Sequence, residues 1–313
     1  MSGPEIYSDT FPAFGGNCYL VFTGLQVADA KNILQKVKNG VEQLENIFST
    51  GSLMSDARNL NYSEAKKWVE VDPVLLNVLS LCYDFYSISN GAFDVSDRPL
   101  YDLWDNTPQP DSDQIEKVRN SCGFDRLEID AELKRVRFLK EGMKLDFRVI
   151  EKAYTAEVLK SLLIENGAKD SIISFDEEVI LALGKHPSGD AWPVGIRNLQ
   201  NPAEFLHVFE SSGRCIVTAG TVFYEPDTAS AKSRRIISPE SGLPVSEKKT
   251  VSVCGTSATL CAFIAHIWLI LPEHDQSVVA EQLSDLEIFE VEYLENDIKT
   301  KLTILNNEQN TEL

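Results

Sequence analysis

The chain has 313 residues, of which 43% are hydrophobic and 25% are charged, a composition typical of globular proteins with a sizeable core. It carries 29 Lys and Arg against 48 Asp and Glu, which gives a formal net charge of −19. Such a charge repels nucleic-acid phosphates and anionic membranes, so we expect no nucleic acid among the partners.

The cysteines and the chain start bear on the cellular compartment. The six cysteines show no CxxC pair and no metal-type spacing, so we expect reduced, mostly buried thiols. The first 14 residues contain no basic segment followed by an apolar one, which is not typical of a secretory signal. The longest apolar run, residues 260–271, is too short to span a bilayer, so no transmembrane segment is expected. We expect a cytoplasmic protein if this N-terminus is native.

Two helices are predicted in the first third of the chain. The apolar residues of Val27–Phe48 recur every 3.6 residues, which predicts an amphipathic helix. A second helix begins after Asp72, a suitable N-cap, with Pro73 at its first position. It ends at Asn90 and Gly91, because glycine commonly closes a helix.

The remaining pattern predicts an α+β fold. A third helix is expected over residues 148–165, and a fourth, apolar on nearly all sides and therefore buried, over residues 257–271. Between them lie short strand-like runs at residues 171–174, 179–183, 194–196, 206–209, 215–218, 235–237 and 250–253. Strands clustered between helical blocks favour α+β over a repeating βαβ plan. We expect one large domain over residues 1–305, with a central sheet packed by helices, and a frayed tail at residues 306–313.

Five segments, in order and at fitting distances, carry a family resemblance. They are residues 48–61 (FSTGSLMSDARNLN), 89–104 (SNGAFDVSDRPLYDLW), 145–157 (LDFRVIEKAYTAE), 235–245 (RIISPESGLPV) and 257–271 (SATLCAFIAHIWLIL). Together they resemble the signature segments of the ApbE family, the FAD:protein FMN transferases. Residues 89–104 are the most specific match, to GGAFDPTVGPLVDLWGF. The resemblance extends over about residues 14–280.

The resemblance implies a fold, a ligand and a set of binding residues. In that family FAD lies in a cleft of an α+β fold, a magnesium ion sits at its pyrophosphate, and FMN is moved onto a Thr or Ser of a target protein. Here it implies a flavin-type cleft between residues 89–104 and the sheet, with a flavin nucleotide and a protein as partners. The implied cofactor-binding residues are Ser49, Thr50, Gly91, Ala92, Phe93, Asp94, Lys152 and Thr218. Lys152 and Thr218 are expected near the phosphates, and Phe93 and Asp94 near the rings. The resemblance also implies an exported or lipid-anchored protein if the N-terminus has been trimmed.

Several departures from the family pattern fall where the phosphates would lie. The family's Gly-Gly-Ile-Ala-Lys-Gly corresponds to residues 148–153, RVIEKA, and its Asp-Ile-Gly-Gly-Asp to residues 174–178, SFDEE. Glycine lets backbone approach a pyrophosphate closely, whereas a carboxylate beside a phosphate is a like-charge contact. These changes therefore disfavour FAD binding.

The metal ligands and acid–base groups of the family also differ here. Its ligating Asp and Thr, four residues apart, correspond to Ala262 and His266. Alanine cannot ligate and magnesium prefers oxygen to imidazole, so we expect no magnesium. The His and Asp of the family's His-Ile-Ile-Asp-Pro correspond to Arg235 and Ser238, so neither a catalytic residue nor a metal ligand is assigned.

These departures predict an FAD-binding protein in which magnesium-dependent FMN transfer is lost or severely weakened. One alternative is an active transferase with a rewired site, in which His266 and acidic residues 176–178 hold another metal. A second alternative is a noncatalytic scaffold or interaction protein.

Local structural interpretations stay open beside these. Gly91 to Asp94 also fit a helix C-cap, a buried Phe and a carboxylate bonded to the next turn. Lys152 fits a solvated helix lysine, and His266 a core histidine. The basic cluster of Lys232, Arg234 and Arg235 fits either a solvated loop or an anion site.

Overall fold

The computed structural model describes residues 6–53, 55–225, 230–295 and 297–306. Contacts divide the chain into two compact units. Unit 1 comprises Met1–Glu42, Lys152–Arg234 and Ser246–Leu313, and unit 2 comprises Gln43–Glu151 and Arg235–Val245. The predicted single domain over residues 1–305 stays a prediction, and residues 307–313 of the predicted tail lie outside the described part of the chain.

Helices and antiparallel strands occupy separate stretches of the chain, which confirms the predicted α+β class. The strands are β1 Ile6–Ala13, β2 Gly16–Thr23, β3 Val69–Glu70, β4 Leu127–Asp130, β5 Arg135–Phe138, β6 Ser171–Phe175, β7 Val179–Leu183, β8 Trp192–Arg197, β9 Phe205–Ser211, β10 Arg214–Gly220, β11 Val222–Glu225, β12 Ser230–Ser233, β13 Lys249–Gly255, β14 Leu286–Tyr293 and β15 Ile298–Leu305. The helices are α1 Val27–Phe48, α2 Asp56–Asn61, α3 Pro73–Ile88, α4 Arg98–Asn106, α5 Ser112–Arg119, α6 Glu151–Glu165, α7 Ala258–Ile267 and α8 Glu273–Ala280.

Unit 1 is built on an antiparallel sheet. Within its described residues eight strands pair in the order β1-β2-β6-β7-β10-β13-β14-β15. Neighbouring side chains on a strand point to opposite faces, and Cys254 and Gly255 of β13 show what covers each face. Gly255 faces Cys261 of α7, because a Cβ at that glycine would lie 2.9 Å from the Cys261 sulfur. Cys254 instead joins an apolar cluster with Val194 and Phe209 of the β8–β9 hairpin.

Unit 2 carries a three-stranded sheet, in the order β3-β5-β4, together with α2 to α5. The ends of α3 form as the sequence predicts: the Asp72 carboxylate accepts a hydrogen bond from Val74 N at 2.7 Å, and Pro73 stands at the first position. Trp104 at the end of α4 donates from Nε1 to the Gly242 carbonyl at 2.9 Å. This bond fixes the 235–245 segment beside α4.

Most predicted elements are present, with shifted ends. The helix Val27–Phe48 and the strand Val179–Leu183 have the predicted bounds. The third helix begins at Glu151 instead of residue 148, where Arg148 N bonds the Asp146 carboxylate at 3.0 Å. The fourth helix ends at Ile267 instead of residue 271. Five further predicted runs, 171–174, 194–196, 206–209, 215–218 and 250–253, lie inside longer strands.

One predicted strand, residues 235–237, was wrong. Ile237 makes only an isolated bridge to Pro244, and its N–H donates to the Tyr101 hydroxyl at 3.3 Å. The segment turns back at Gly242, which has a φ of +70°, so it has no length over which a ladder could form. The cysteines are free and buried, as predicted. Within the described residues, no helix is both long and apolar enough to cross a membrane.

Candidate functional site

The turn between β6 and β7 places acidic residues in an unusual backbone conformation. Asp176 has a φ of +50° and Glu177 a φ of +59°. This left-handed region favours glycine and costs other residues about 1–2 kcal/mol each. These two positions correspond to the paired glycines of Asp-Ile-Gly-Gly-Asp, so the backbone supports the correspondence drawn from the sequence.

Asp176 is held against the β1–β2 turn of the same unit. Asn17 N donates to Asp176 Oδ1 at 2.8 Å, and Asp176 N donates to the Asn17 carbonyl at 3.1 Å. A Cβ at Gly16 would lie 1.9 Å from Asp176 Oδ2, so the carboxylate occupies the room that this glycine leaves. The orientation of the Asp176 side chain is therefore fixed by its neighbours.

Lys152, in the first turn of α6, is engaged by the same turn. Its Nζ donates to Asp176 Oδ2 at 3.0 Å and to Glu178 Oε2 at 2.8 Å, and its side chain is 12% exposed. Burial alone would lower the pKa of Lys152, but the charge of Glu178 and the hydrogen bonds to both carboxylates raise it above its ordinary value. Lys152 is thus a charged, mostly buried lysine that pairs with two carboxylates. It is not the solvated helix lysine that the sequence also allowed.

A second cation reaches Glu178 from the residue that follows β12. Arg234 NH1 lies 2.6 Å from Glu178 Oε1, and the Arg234 guanidinium lies over the Phe223 ring, 5.0 Å from its centroid. Burial would raise the pKa of Glu178, but the charges of Lys152 and Arg234 lower it. We call Lys152, Arg234, Asp176 and Glu178 the hairpin ion cluster.

Thr218 on β10 borders this cluster. Its N–H donates to the Glu178 carbonyl at 2.8 Å, and its Oγ1 lies 2.8 Å from Ser252 Oγ. The structure therefore brings together the two residues that sequence analysis placed near the phosphates. Contact of either one with a flavin stays a prediction.

In unit 2 the Gly-Ala-Phe-Asp segment closes α3. Gly91, with a φ of +84°, donates from its N–H to the Tyr86 carbonyl at 2.8 Å. The buried Ser89 hydroxyl accepts from Phe93 N at 3.0 Å and donates to the Phe85 carbonyl at 2.7 Å. The Phe93 ring, 1% exposed, packs edge-on against Phe85. Ala92 is buried beside it, so these side chains hold the helix end in place.

Two buried carboxylates follow in this segment. Asp94 Oδ1 accepts from Ser96 N at 2.8 Å and from Ser96 Oγ at 2.7 Å, and burial raises the pKa of Asp94 to about 6. Asp97 is 6% exposed and makes no side-chain cap to α4. Burial, followed by the charges of Asp94 and Asp146, raises the pKa of Asp97 well above its ordinary value, against the opposing charge of Arg148.

Ser49 and Thr50 lie in unit 2, in the turn after α1. Ser49 Oγ accepts from Ser52 N at 3.1 Å, and the Thr50 carbonyl accepts from Arg58 NH1 at 3.4 Å. Both residues thus form local bonds within the turn. Whether they contact a flavin stays a prediction, as it does for Gly91 to Asp94.

Arg234 and Asn17 were missed as site residues by sequence reasoning. Sequence analysis noted Arg234 only as part of a basic cluster that fits a solvated loop or an anion site, and in the structure Arg234 and Arg235 bind different carboxylates. Arg235 pairs with Asp105 at 2.8 Å inside unit 2, and the side chain of Lys232 lies outside the described part of the chain. The sequence signal that could have found Asn17 is the preceding Gly15-Gly16 pair, which marks a tight turn.

The two residues that sequence analysis set at the family's metal-ligand positions carry no ligating side-chain oxygen. Ala262 and His266 are both buried on α7, and that pair offers one imidazole and no oxygen. Among the residues that the structure describes, no three His, Cys, Asp or Glu side chains are grouped as a metal site. Asp176 and Glu178, invoked for a rewired metal site, are ion-paired with Lys152 instead.

Comparisons with known proteins agree on one family. The sequence model of the ApbE family matches residues 17–289. The FAD:protein FMN transferase of Klebsiella pneumoniae is 22% identical over 273 residues, which are 83% of this chain and 77% of the relative. The apo structure of the Pseudomonas stutzeri flavinyl transferase ApbE has a TM-score of 0.82 at 20% identity, covering 97% of this chain and 96% of its own. The Vibrio cholerae flavin transferase ApbE has a TM-score of 0.81 at 19% identity, covering 96% and 97%.

Proposed function

Since this chain belongs to the ApbE family, we propose that it is a flavin-nucleotide-binding protein in which magnesium-dependent transfer of FMN from FAD to a target protein is lost or severely weakened. FAD and a protein carrying an acceptor Thr or Ser are the ligand and partner that fit the family. The proposal concerns the loss of transfer above all, with a weak and magnesium-independent affinity for FAD remaining.

The hairpin ion cluster is the observation that carries the proposal. Lys152, the cation expected at the pyrophosphate, already bonds Asp176 and Glu178. A phosphate that approached Lys152 would meet both carboxylates. Two like charges 4 Å apart repel by about 1 kcal/mol in water and about 4 kcal/mol near a protein surface. FAD must therefore bind with this repulsion opposing it or displace the carboxylates.

Transfer suffers more than binding from such an arrangement. Contacts with the rings and the sugar stabilise bound FAD and its transition state alike, whereas cations at the pyrophosphate act on charge that develops during the reaction. Lys152 is neutralised, Ala262 offers no metal ligand, and Arg235 at the family's His position is paired with Asp105. Each change removes an interaction that would stabilise the charge developing in the transition state.

The rewired-metal alternative has less support. A metal held by Asp176 and Glu178 would have to compete with Lys152 and Arg234 for the same oxygens. His266 lies on a different element, α7, outside any metal-type group in the described residues.

A titration of the purified chain with FAD tests the proposal. Flavin fluorescence is followed with and without millimolar magnesium, and the Klebsiella pneumoniae FAD:protein FMN transferase serves as the positive control. We expect weak FAD binding that magnesium does not strengthen. Tight binding that requires magnesium would overturn the proposal in favour of an active transferase. Complete absence of binding would overturn it in favour of a scaffold protein.

A further inference from the structure

Two cations of unit 1 converge on one carboxylate. Lys152 Nζ binds Glu178 Oε2 at 2.8 Å, and Arg234 NH1 binds Glu178 Oε1 at 2.6 Å. A lysine and an arginine that grip different oxygens of one anion form an arrangement that also suits a phosphate. Glu178 thus occupies the place between two cations that an anionic ligand would take.

A second carboxylate of the chain also lies at this cation pair. Asp176 adds a bond to Lys152 at 3.0 Å, and its position is fixed by the Asn17 N–H and by the missing Cβ of Gly16. Two turns and a helix of the same unit therefore hold the carboxylates beside the cations, so the arrangement does not depend on one mobile side chain. Asp176 makes these contacts from a left-handed backbone conformation, with a φ of +50°.

The charges of the cluster cancel. Two cations and two carboxylates leave a locally neutral group of half-buried side chains. A free pyrophosphate would gain two cations and meet two carboxylates, so the attraction is offset by repulsion of similar size. Without the carboxylate charges only the attraction remains.

We propose that Asp176 and Glu178 are specificity determinants of this chain: they fill the Lys152–Arg234 cation pair as a built-in anion and weaken the binding of phosphate-bearing ligands. With their charges removed, the pair binds pyrophosphate groups, whether free or part of a nucleotide. This inference rests on the proposed function, because it assigns the weak FAD affinity to two residues.

The test is calorimetric titration of sodium pyrophosphate, without metal, into the wild type and the Asp176→Asn/Glu178→Gln variant. The matched control is Asp190→Asn/Glu273→Gln, which changes net charge equally at two side chains that are 95% and 86% exposed. We expect the Asp176→Asn/Glu178→Gln variant, called the hairpin variant, to bind pyrophosphate at least about tenfold more tightly than the wild type and the control variant. An equal gain in the control would assign the effect to net charge and overturn the proposal.

A third variant tests whether Lys152 holds the new ligand. Adding Lys152→Met to the hairpin variant is expected to abolish the gain, and a gain that persists there overturns the proposal. ADP should show the same gain in affinity as pyrophosphate. Uncharged riboflavin should bind the wild type and the hairpin variant equally. An equal gain for riboflavin would mean that the variant opened an apolar contact, and would contradict the role given to the carboxylates.

Folding is checked by circular dichroism and thermal melting. If the double variant does not fold, Glu178→Gln alone keeps the Asp176 contacts with Asn17 and is expected to give about a threefold gain. A folded variant with no gain overturns this inference and leaves the proposed function standing. Conversely, magnesium-dependent FMN transfer by the wild type would overturn the proposed function. The pyrophosphate titration would still decide whether Asp176 and Glu178 weaken phosphate binding.

Discussion

Carboxylates face opposite environments in two regions of the chain. In the hairpin ion cluster of unit 1, Asp176 and Glu178 each bond a cation. In the 89–97 segment of unit 2, Asp94 accepts hydrogen bonds from neutral groups of Ser96, and Asp97 lies buried near two other carboxylates. Glu178 is therefore stabilised in its charged form, whereas burial favours the neutral forms of Asp94 and Asp97.

This difference gives the two regions opposite responses to pH. Cations hold the pKa of Glu178 below its ordinary value, so its contribution to stability is present above pH 4.5 and is lost as pH falls through the folded pKa. Burial raises the pKa of Asp94 from 3.8 to about 6, so its folded form binds protons more readily than the unfolded chain. Its contribution falls as pH rises from about 4 to about 6.

Removing the cation that Asp176 and Glu178 share should have the largest effect on the free energy of unfolding. Lys152→Met leaves two half-buried carboxylates close together without their shared cation. Loss of one partner of a fully buried pair costs about 3–5 kcal/mol, and partial exposure of the carboxylates reduces this to about 2 kcal/mol. Urea denaturation at pH 7 measures the loss. The control, Lys185→Met, removes an exposed pair with Asp190 and should change stability by less than about 0.5 kcal/mol. Equal losses in both variants would contradict the account.

The neutral side of the comparison can be sharpened with pH. We expect the free energy of unfolding of the wild type to increase as pH falls from 7 to 5, because the raised pKa values of Asp94 and Asp97 let the folded state bind protons more strongly than the unfolded chain does. Asp97→Asn should be more stable than the wild type at pH 7 by about 1 kcal/mol and show a smaller increase. The matched control for net charge is Asp190→Asn. A variant whose stability follows pH as the wild type does would show that Asp97 is not the protonated group.

A smaller effect tests the helix end that carries these carboxylates. Ser89→Ala removes the acceptor of the buried Phe93 N–H, which should cost about 1 kcal/mol. Ser87→Ala, two residues earlier, removes an exposed hydroxyl bond to the Tyr83 carbonyl and should cost close to nothing. Thermal melting compares the two variants. Equal melting temperatures would mean that the Ser89 bond does not hold the segment.

The sequence predicted best what depends on neighbours along the chain. Asp72 and Pro73 begin α3 and Gly91 closes it, because caps act within one turn. The structural interpretation of Gly91 to Asp94 rests on the same local chemistry. Strands β14 and β15 went unpredicted. Glu290 interrupts the apolar pattern of β14, yet it is buried and pairs with Lys249 of β13 at 2.7 Å.

The candidate site was only half predictable. Lys152 and Thr218 came from the resemblance, and the structure places both beside the β6–β7 turn. Their partners could not be read from the sequence, because Asp176 and Glu178 are 24 and 26 residues from Lys152. Such pairs depend on which strand ends lie beside α6, and therefore on the sheet order.

The release of AMP from FAD tests the central claim most directly. FAD, magnesium and a protein acceptor of the Klebsiella pneumoniae relative are incubated with either this chain or the relative. AMP is measured by chromatography, and flavin on the acceptor is read by in-gel fluorescence. We expect AMP release and flavin labelling from the relative, and from this chain either none above the protein-free control or less than about a tenth of the relative's rate. Labelling of the acceptor with matching AMP release by this chain, at a rate within about tenfold of the relative's, would contradict the claim.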